Sequence, residues 1–187
     1  MRSFLRLGVL IAVAMMLLAI PAMAQYDYYD EDYGYAEWYA SINGGWAMAM
    51  GDLDDHYDGG FAAEGDLEYR FNENWTADGF IGWRNLGADE DSSEDLDVLN
   101  VSINGKYYFT PGEDTFWLRG GVGWYDPDQE DVDDEFGFNF GFGYLFSLGE
   151  DEVPGSGLKV GLDYHWVDFE DTDSEWLEFL VGWQFAF

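Results

Sequence analysis

The segment FGFNFGFGYLF, residues 136–146, decides the fold because its side chains alternate between two kinds. One set is aromatic and consists of Phe136, Phe138, Phe140, Phe142, Tyr144 and Phe146. The residues between them are mostly small: Gly137, Asn139, Gly141 and Gly143. Successive side chains of a β-strand point to opposite faces, so this period of two predicts a strand with one aromatic and one small, polar face.

The same period recurs in eight segments, most of them ten to twelve residues long: 36–50, 60–71, 75–86, 98–109, 115–125, 136–146, 158–167 and 177–187. Long acidic stretches follow every odd-numbered segment, at 51–59, 87–97, 126–135 and 168–175. Short turns follow the second and fourth segments, and a longer Gly-rich connection follows the sixth. This alternation predicts an all-β, up-and-down antiparallel barrel of eight strands.

The two faces of the predicted barrel differ in their aromatic content. The apolar face carries 23 aromatics, and the polar face carries five: Tyr39, Phe80, Tyr108, Trp117 and Tyr125. The interior of an eight-stranded barrel is just wide enough for modest side chains or one small ligand, so 23 rings do not fit inside. The aromatics therefore face lipid, and the segment lengths match the ~9–11 residues of a tilted spanning strand. We predict a transmembrane β-barrel.

The polar face is predicted to form an ion-pair network inside the barrel. The alternation of the two faces along each strand places these acids inward: Glu37, Glu64, Asp66, Glu68, Asp78, Asp163 and Glu178. It places these bases and one histidine inward as well: Arg70, Arg84, Lys106, Arg119, Lys159 and His165. Buried charges are tolerable only when they are paired and hydrogen-bonded. We therefore expect ion pairs to plug the lumen, and a conducting or ligand-binding channel is the alternative.

Residues 1–24 have the pattern of a cleaved signal peptide. Arg2 and Arg6 precede an uninterrupted small-and-apolar run, and Ala22 and Ala24 form an A-x-A cleavage site. Residues 25–35, rich in Tyr and Asp, have no strand or helix period and are predicted to be a mobile leader. The barrel is predicted to occupy residues 36–187.

The charge balance excludes some classes of function. The chain has 7 Lys and Arg against 39 Asp and Glu, a formal net charge of -32, and no Cys. Nucleic-acid binding needs a basic surface and is therefore not expected. The absence of Cys excludes a disulfide framework, a thiolate nucleophile and a Cys-based metal site.

The last nine residues, FLVGWQFAF, carry an apolar stripe: Phe179, Val181, Trp183, Phe185 and Phe187. This stripe resembles the assembly signal of Gram-negative outer-membrane proteins, in which the insertion machinery recognises a last strand that closes on Phe. Glycine-rich stretches at 41–46 (SINGGW) and 120–124 (GGVGW) resemble the first and fifth strands of small eight-stranded barrels, namely the OmpA membrane domain, OmpX and the opacity-type surface proteins. The resemblance implies a multi-pass location in the bacterial outer membrane, reached through a Sec-type signal peptide.

Two histidines and several serines raise the question of catalysis, because some small barrels modify lipid A. His56 lies in the first loop, and His165 lies at the outer end of the seventh segment; the outer-half serines include Ser92, Ser93 and Ser174. A Ser-His-acid set is recognised by geometry rather than by sequence order. The local sequences do not resemble the histidine-serine motif of the lipid A deacylase barrels. We assign no catalytic residue and interpret His165 as a rim or network residue.

The third loop is the main candidate for cation binding. Its acids are Asp126, Asp128, Glu130, Asp131, Asp133, Asp134 and Glu135, and carboxylate oxygens suit Ca²⁺ or Mg²⁺. The spacing is not that of an EF-hand, because the invariant Gly is missing and Pro127 interrupts the start. We predict at most weak binding of Ca²⁺ or Mg²⁺ and no other cofactor. Adaptation to high salt explains the same composition without a binding role.

These observations predict a monomeric barrel with a structural or surface-interactive role: membrane integrity, adhesion or cation bridging. Its expected partners are outer-membrane lipid, lipopolysaccharide and, during biogenesis, the barrel-assembly machinery. A narrow pore for ions or small solutes is the first alternative. A lipid A-modifying enzyme is the second.

Overall fold

A computed structural model describes residues 38–89, 94–110, 114–129, 132–148, 156–169 and 172–187. It is a closed antiparallel barrel of eight strands: β1 (Trp38–Met50), β2 (Tyr57–Arg70), β3 (Trp75–Ala88), β4 (Leu96–Tyr108), β5 (Thr115–Pro127), β6 (Glu135–Ser147), β7 (Gly157–Phe169) and β8 (Thr172–Ala186). Each strand pairs with its neighbour in sequence. β1 and β8 close the sheet, from Tyr39 opposite Ala186 to Met50 opposite Glu175. The predicted fold is confirmed.

The two ends of the barrel differ in their connections. At one end, here called the loop end, lie the connections that follow β1, β3, β5 and β7. The start of β1, the end of β8 and the remaining connections lie at the other end, here called the turn end. A 3₁₀ helix, Gly51–Asp55, follows β1 at the loop end. Within the described ranges, no helix has the length and apolar character needed to cross a membrane. The predicted signal peptide and leader lie outside the described residues.

The predicted orientation of the two faces is confirmed by burial. The aromatic row of β6 is exposed on the outer surface, with Phe136, Phe138 and Phe140 at 75%, 59% and 52%. The five aromatics predicted to point inward are all buried: Tyr39, Phe80, Tyr108, Trp117 and Tyr125. The barrel therefore presents its aromatic face outward, as a lipid-facing surface requires.

The prediction of a fourth acidic loop at residues 168–175 is wrong, because most of these residues belong to strands. β7 continues to Phe169, β8 already begins at Thr172, and Asp168 pairs with Asp173 across the hairpin. The face pattern reverses here: Asp168 and Asp173 are exposed, whereas Phe169 and Trp176 are buried. A strand that leaves the hydrocarbon region meets water on its outer face, so acids replace aromatics there. The period of two persists, but its phase is inverted.

An apolar cluster fills the interior at the loop end, a feature that the sequence did not predict. It contains Ala47, Ala49, Leu53, Ala62, Leu86, Leu96, Val98, Tyr125, Val167, Phe169, Trp176 and Leu180. Leu53 belongs to the 3₁₀ helix, which places this side chain among the strand residues. The interior therefore combines an apolar layer at the loop end with charged layers below it, rather than ion pairs alone.

Candidate functional site

Arg119 of β5 is the centre of the charged interior. Its Nε donates a hydrogen bond to Asp163 Oδ1 at 2.7 Å. Its Nη2 and Nη1 donate to Glu64 Oε2 and Oε1 at 2.7 and 3.0 Å. Nη1 also donates to Asp66 Oδ1 at 3.2 Å and lies 4.0 Å from Asp78 Oδ2. The planar guanidinium thus connects carboxylates of β2, β3 and β7 across the interior, a geometry that a lysine ammonium cannot supply.

Two lysines extend this network toward the turn end. Lys159 Nζ donates to Asp66 Oδ1 and Oδ2 at 3.0 and 3.2 Å. Lys106 forms an ion pair with Glu68, whose second oxygen accepts a hydrogen bond from the Tyr108 hydroxyl at 2.8 Å. All five side chains are buried. Each carboxylate in this part of the interior therefore has a cationic partner, as buried charges require.

Glycines on β6 and β7 provide the space that the network occupies. A Cβ atom on Gly141 would overlap the carboxylate of Asp163. A Cβ atom on Gly143 or Gly161 would overlap the indole of Trp117. The small residues that alternate with the phenylalanines of β6 are therefore needed for close packing of the interior.

A second polar cluster lies next to the apolar layer. Arg84 Nε is 2.6 Å from Glu178 Oε1, although its N–H bond is not directed at that oxygen. Trp176 Nε1 donates to the same oxygen at 2.9 Å. His165 stacks on Trp176, with ring centroids 5.2 Å apart, and its Nδ1 lies 3.0 Å from the Tyr125 hydroxyl. His165 is fully buried, so it is a network residue and not a rim residue.

The structure brings the predicted lumen residues together inside the barrel. Every described member is buried: Glu64, Asp66, Glu68, Arg70, Asp78, Arg84, Lys106, Arg119, Lys159, Asp163, His165 and Glu178. Glu37 lies outside the described residues. Three amides that were not predicted belong to the same network. Asn43 Nδ2 donates to Asp66 at 2.7 Å, Asn104 Nδ2 donates to Asp78 at 3.0 Å, and Gln184 Oε1 accepts from the Tyr108 hydroxyl at 3.2 Å. Their positions on the inward face of the predicted strands could have identified them from the sequence.

The predicted cation-binding acids do not form one described group. Asp126 lies within β5 and is buried, whereas Asp128, Asp133 and Asp134 are exposed. Asp134 accepts a hydrogen bond from the indole of Trp124. Glu130 and Asp131 lie outside the described residues. Among the residues that the structure describes, no three His, Asp or Glu side chains are arranged to hold a metal ion.

A cavity of about 370 Å³ opens at the loop end. Asp52, His56 and Ser174 all line it, so three residue types of a hydrolytic site share one cavity. Ser174 is only 3% exposed, which does not suit a nucleophile that must reach a substrate. Ser92 and Ser93 lie outside the described residues. His165 lies apart from this cavity, in the buried cluster described above.

Comparisons with known proteins agree with the geometry. Residues 10–185 match the family described as "Outer membrane protein beta-barrel domain". Neisserial surface protein A is similar in structure, with a TM-score of 0.61 and 16% identity over 81% of this chain and 98% of that one. The attachment invasion locus protein Ail of Yersinia pestis, solved with the heparin analogue sucrose octasulfate, has a TM-score of 0.51 and 16% identity over 80% of this chain and 99% of Ail. No curated protein sequence matches the chain.

Proposed function

This chain belongs to the outer membrane protein β-barrel domain family, and we propose that it is a closed, non-conducting surface barrel of the bacterial outer membrane. The observation that carries the proposal is the position of Arg119, which bonds to Glu64 on β2 and Asp163 on β7 across the interior. An eight-stranded interior is just wide enough for side chains or one small ligand, so side chains bonded across this cross-section support a lumen without a path for hydrated ions. Current through single folded barrels in a planar bilayer tests it, and no steady openings are expected.

The apolar layer at the loop end supports the same proposal. Leu53 from the 3₁₀ helix and Phe169 from the end of β7 belong to this buried cluster, which lies beyond the charged network. Ions passing along the lumen would have to cross both layers. Steady openings in the conductance test would contradict this proposal and would support the alternative, a narrow pore. We assign the barrel no catalytic role.

The outer surface at the loop end favours cationic partners. The acidic stretches at 51–59, 87–97, 126–135 and 168–175 contain 22 Asp and Glu. Every Lys and Arg beyond residue 6 lies within the barrel interior: Arg70, Arg84, Lys106, Arg119 and Lys159. Ail was solved with a sulfated sugar. A polyanion of that kind would be repelled by this excess of acids. We propose that the exposed acids bridge to lipopolysaccharide phosphates through divalent cations, in a barrel that acts as a monomer.

Replacing Asp128, Asp133 and Asp134 with Asn is expected to reduce Ca²⁺ binding at the third loop. These three acids are exposed, and their negative charges attract a divalent cation more strongly than they attract Na⁺. Calorimetry with Ca²⁺ at constant ionic strength measures the effect, and an NaCl titration is the control. If Ca²⁺ and NaCl give the same heats, the proposed bridging role is wrong, and adaptation to high salt explains the acidic composition.

Biogenesis is proposed to follow the family route: residues 1–24 direct export, and the barrel-assembly machinery recognises the end of β8. The outward row of β8 contains Phe179, Val181, Trp183 and Phe185, all exposed. Phe187 follows the strand, and its backbone N–H donates to the Trp38 carbonyl at 3.0 Å. This edge pairs with β1 when the barrel closes.

Phe187→Asp is expected to lower the amount of folded barrel in the outer membrane while export continues. The charge would disrupt the apolar stripe that the insertion machinery is proposed to recognise. Phe71→Asp is the matched control, because Phe71 is also an aromatic residue directly after a strand at the turn end. Fractionation with a heat-modifiability assay measures folded protein. Equal losses in the two variants would show that Phe187 has no special role in assembly.

A further inference from the structure

The cavity at the loop end has the size and lining of a small-molecule site. Its volume of about 370 Å³ lies within the ~300–1,000 Å³ that ligand pockets usually have. Three members of the buried apolar cluster contribute to its lining: Leu53, Leu96 and Phe169. Polar side chains line it as well, among them Asp52, Tyr57 and Gln129. An apolar lining with a few polar groups is typical of sites that bind an amphipathic ligand.

The charge around this cavity selects for a cation. Asp52 is exposed on the 3₁₀ helix and lines the cavity. Asp54, Asp55 and Asp58 are exposed in the same part of the chain. The Lys and Arg residues beyond residue 6 are buried inside the barrel and do not line the cavity. The summed field of these carboxylates attracts a positive ligand and repels an anion.

Tyr57 adds an aromatic surface at the edge of the same cavity. Its side chain is half-buried, and its hydroxyl oxygen accepts a hydrogen bond from Gln129 Nε2 at 2.5 Å. This bond joins the start of β2 to the residues after β5 and restricts the ring. An aromatic ring and a carboxylate that line the same cavity can both stabilise an ammonium group.

We propose that this cavity binds a small aromatic or alkyl ammonium. The apolar part of the ligand packs against Leu53, Leu96 and Phe169, and the ammonium group lies beside Asp52 within reach of Tyr57. The site goes beyond the closed-barrel function and does not depend on it, because binding in a cavity at the loop end needs no open path through the lumen. Divalent cations at the exposed acids would not use the apolar lining.

Titration of the folded barrel in zwitterionic nanodiscs with phenethylammonium tests the proposal, with backbone amide shifts at Leu53 and Leu96 as the readout. Saturable shifts at these residues are expected. The neutral analogue 2-phenylethanol should bind about five-fold more weakly or worse, since it lacks the charge. Phenylacetate should not bind. Empty nanodiscs measure partitioning of each compound into lipid.

Two substitutions on the 3₁₀ helix separate a specific contact from general attraction. Asp52→Asn and Asp54→Asn each remove one exposed negative charge, but only Asp52 lines the cavity. We expect about five-fold weaker phenethylammonium binding for Asp52→Asn and less than about two-fold for Asp54→Asn. The proposal is overturned by the absence of saturable shifts, by equal binding of 2-phenylethanol, or by equal effects of the two substitutions. A heat-modifiability assay confirms that both variants are folded.

Discussion

Arg119→Met is expected to lower the free energy of unfolding by about 3–5 kcal/mol, the cost of removing one partner from a buried ion pair. Methionine fills much of the same volume but leaves Glu64, Asp66 and Asp163 without the guanidinium that bonds to all three. These carboxylates are buried and cannot recover hydration. Urea unfolding in lipid vesicles, followed by tryptophan fluorescence, measures the change.

A compensated variant is the control for this prediction. Combining Arg119→Met with Glu64→Gln and Asp163→Asn removes two of the three acids' charges along with the base. The two amides carry no uncompensated charge, and Asp66 keeps its bonds to Lys159, so much of the lost stability should return. If Arg119→Met alone is as stable as the wild type, the interior is hydrated enough to screen these charges, and the closed cross-section is wrong.

Phe140→Arg is expected to cost about 2–4 kcal/mol, the range for a cation at the midplane of the lipid face. Phe140 lies near the middle of β6, pairs with Gly120 and Tyr164, and is 52% exposed on the outer surface. The charged group of an arginine at this position would either stay in the hydrocarbon or have to extend nearly the whole distance from the midplane to the interface. Unfolding of the variant in lipid vesicles measures the cost.

Phe140→Leu is the matched control, because it keeps the position apolar while removing the ring. We expect it to be tolerated with a much smaller loss, since leucine is compatible with lipid. Similar losses for arginine and leucine would indicate that the ring itself packs against protein. A neutral Phe140→Arg would contradict the outward orientation of the aromatic face.

The strands and their two faces were predictable from sequence because each depends on local information. Alternation within a strand sets the faces, as in the row Phe136, Phe138 and Phe140. The volume of an eight-stranded interior then decides which face points inward. Trp117 and Tyr125 were predicted on this basis to lie inside the barrel, and both are buried.

The strand ends at the loop end were not predictable by the same rule. Phe169 and Trp176 are buried, while the acids Asp168 and Asp173 face outward. Beyond the hydrocarbon region the outer face becomes polar and the inner face apolar, so the pattern inverts its phase. Because the aromatics change face there, the alternation ends in the sequence before the strand ends in the structure. Trp176 was missed for this reason.

The sequence also could not predict which charged residues in the interior pair with one another. Arg119 bonds to Asp163, 44 residues away, and to Glu64, 55 residues away. Lys159 reaches Asp66 over 93 residues. Such contacts depend on the relative register of strands that are not neighbours in the sheet. The alternation of faces along each strand identifies which residues belong to the network but not which of them form bonds with each other.

Single-channel recording of the purified barrel in planar bilayers tests the central claim most directly, namely that the interior is closed. Heat-modifiability identifies folded protein before the recording, and an open porin in the same bilayers verifies that conductance is detectable. The closed cross-section around Arg119 and the apolar layer with Leu53 predict a baseline without steady openings at any applied voltage that the bilayer withstands. Steady openings whose number rises with the amount of inserted barrel would contradict the claim, and the narrow pore would then be the function.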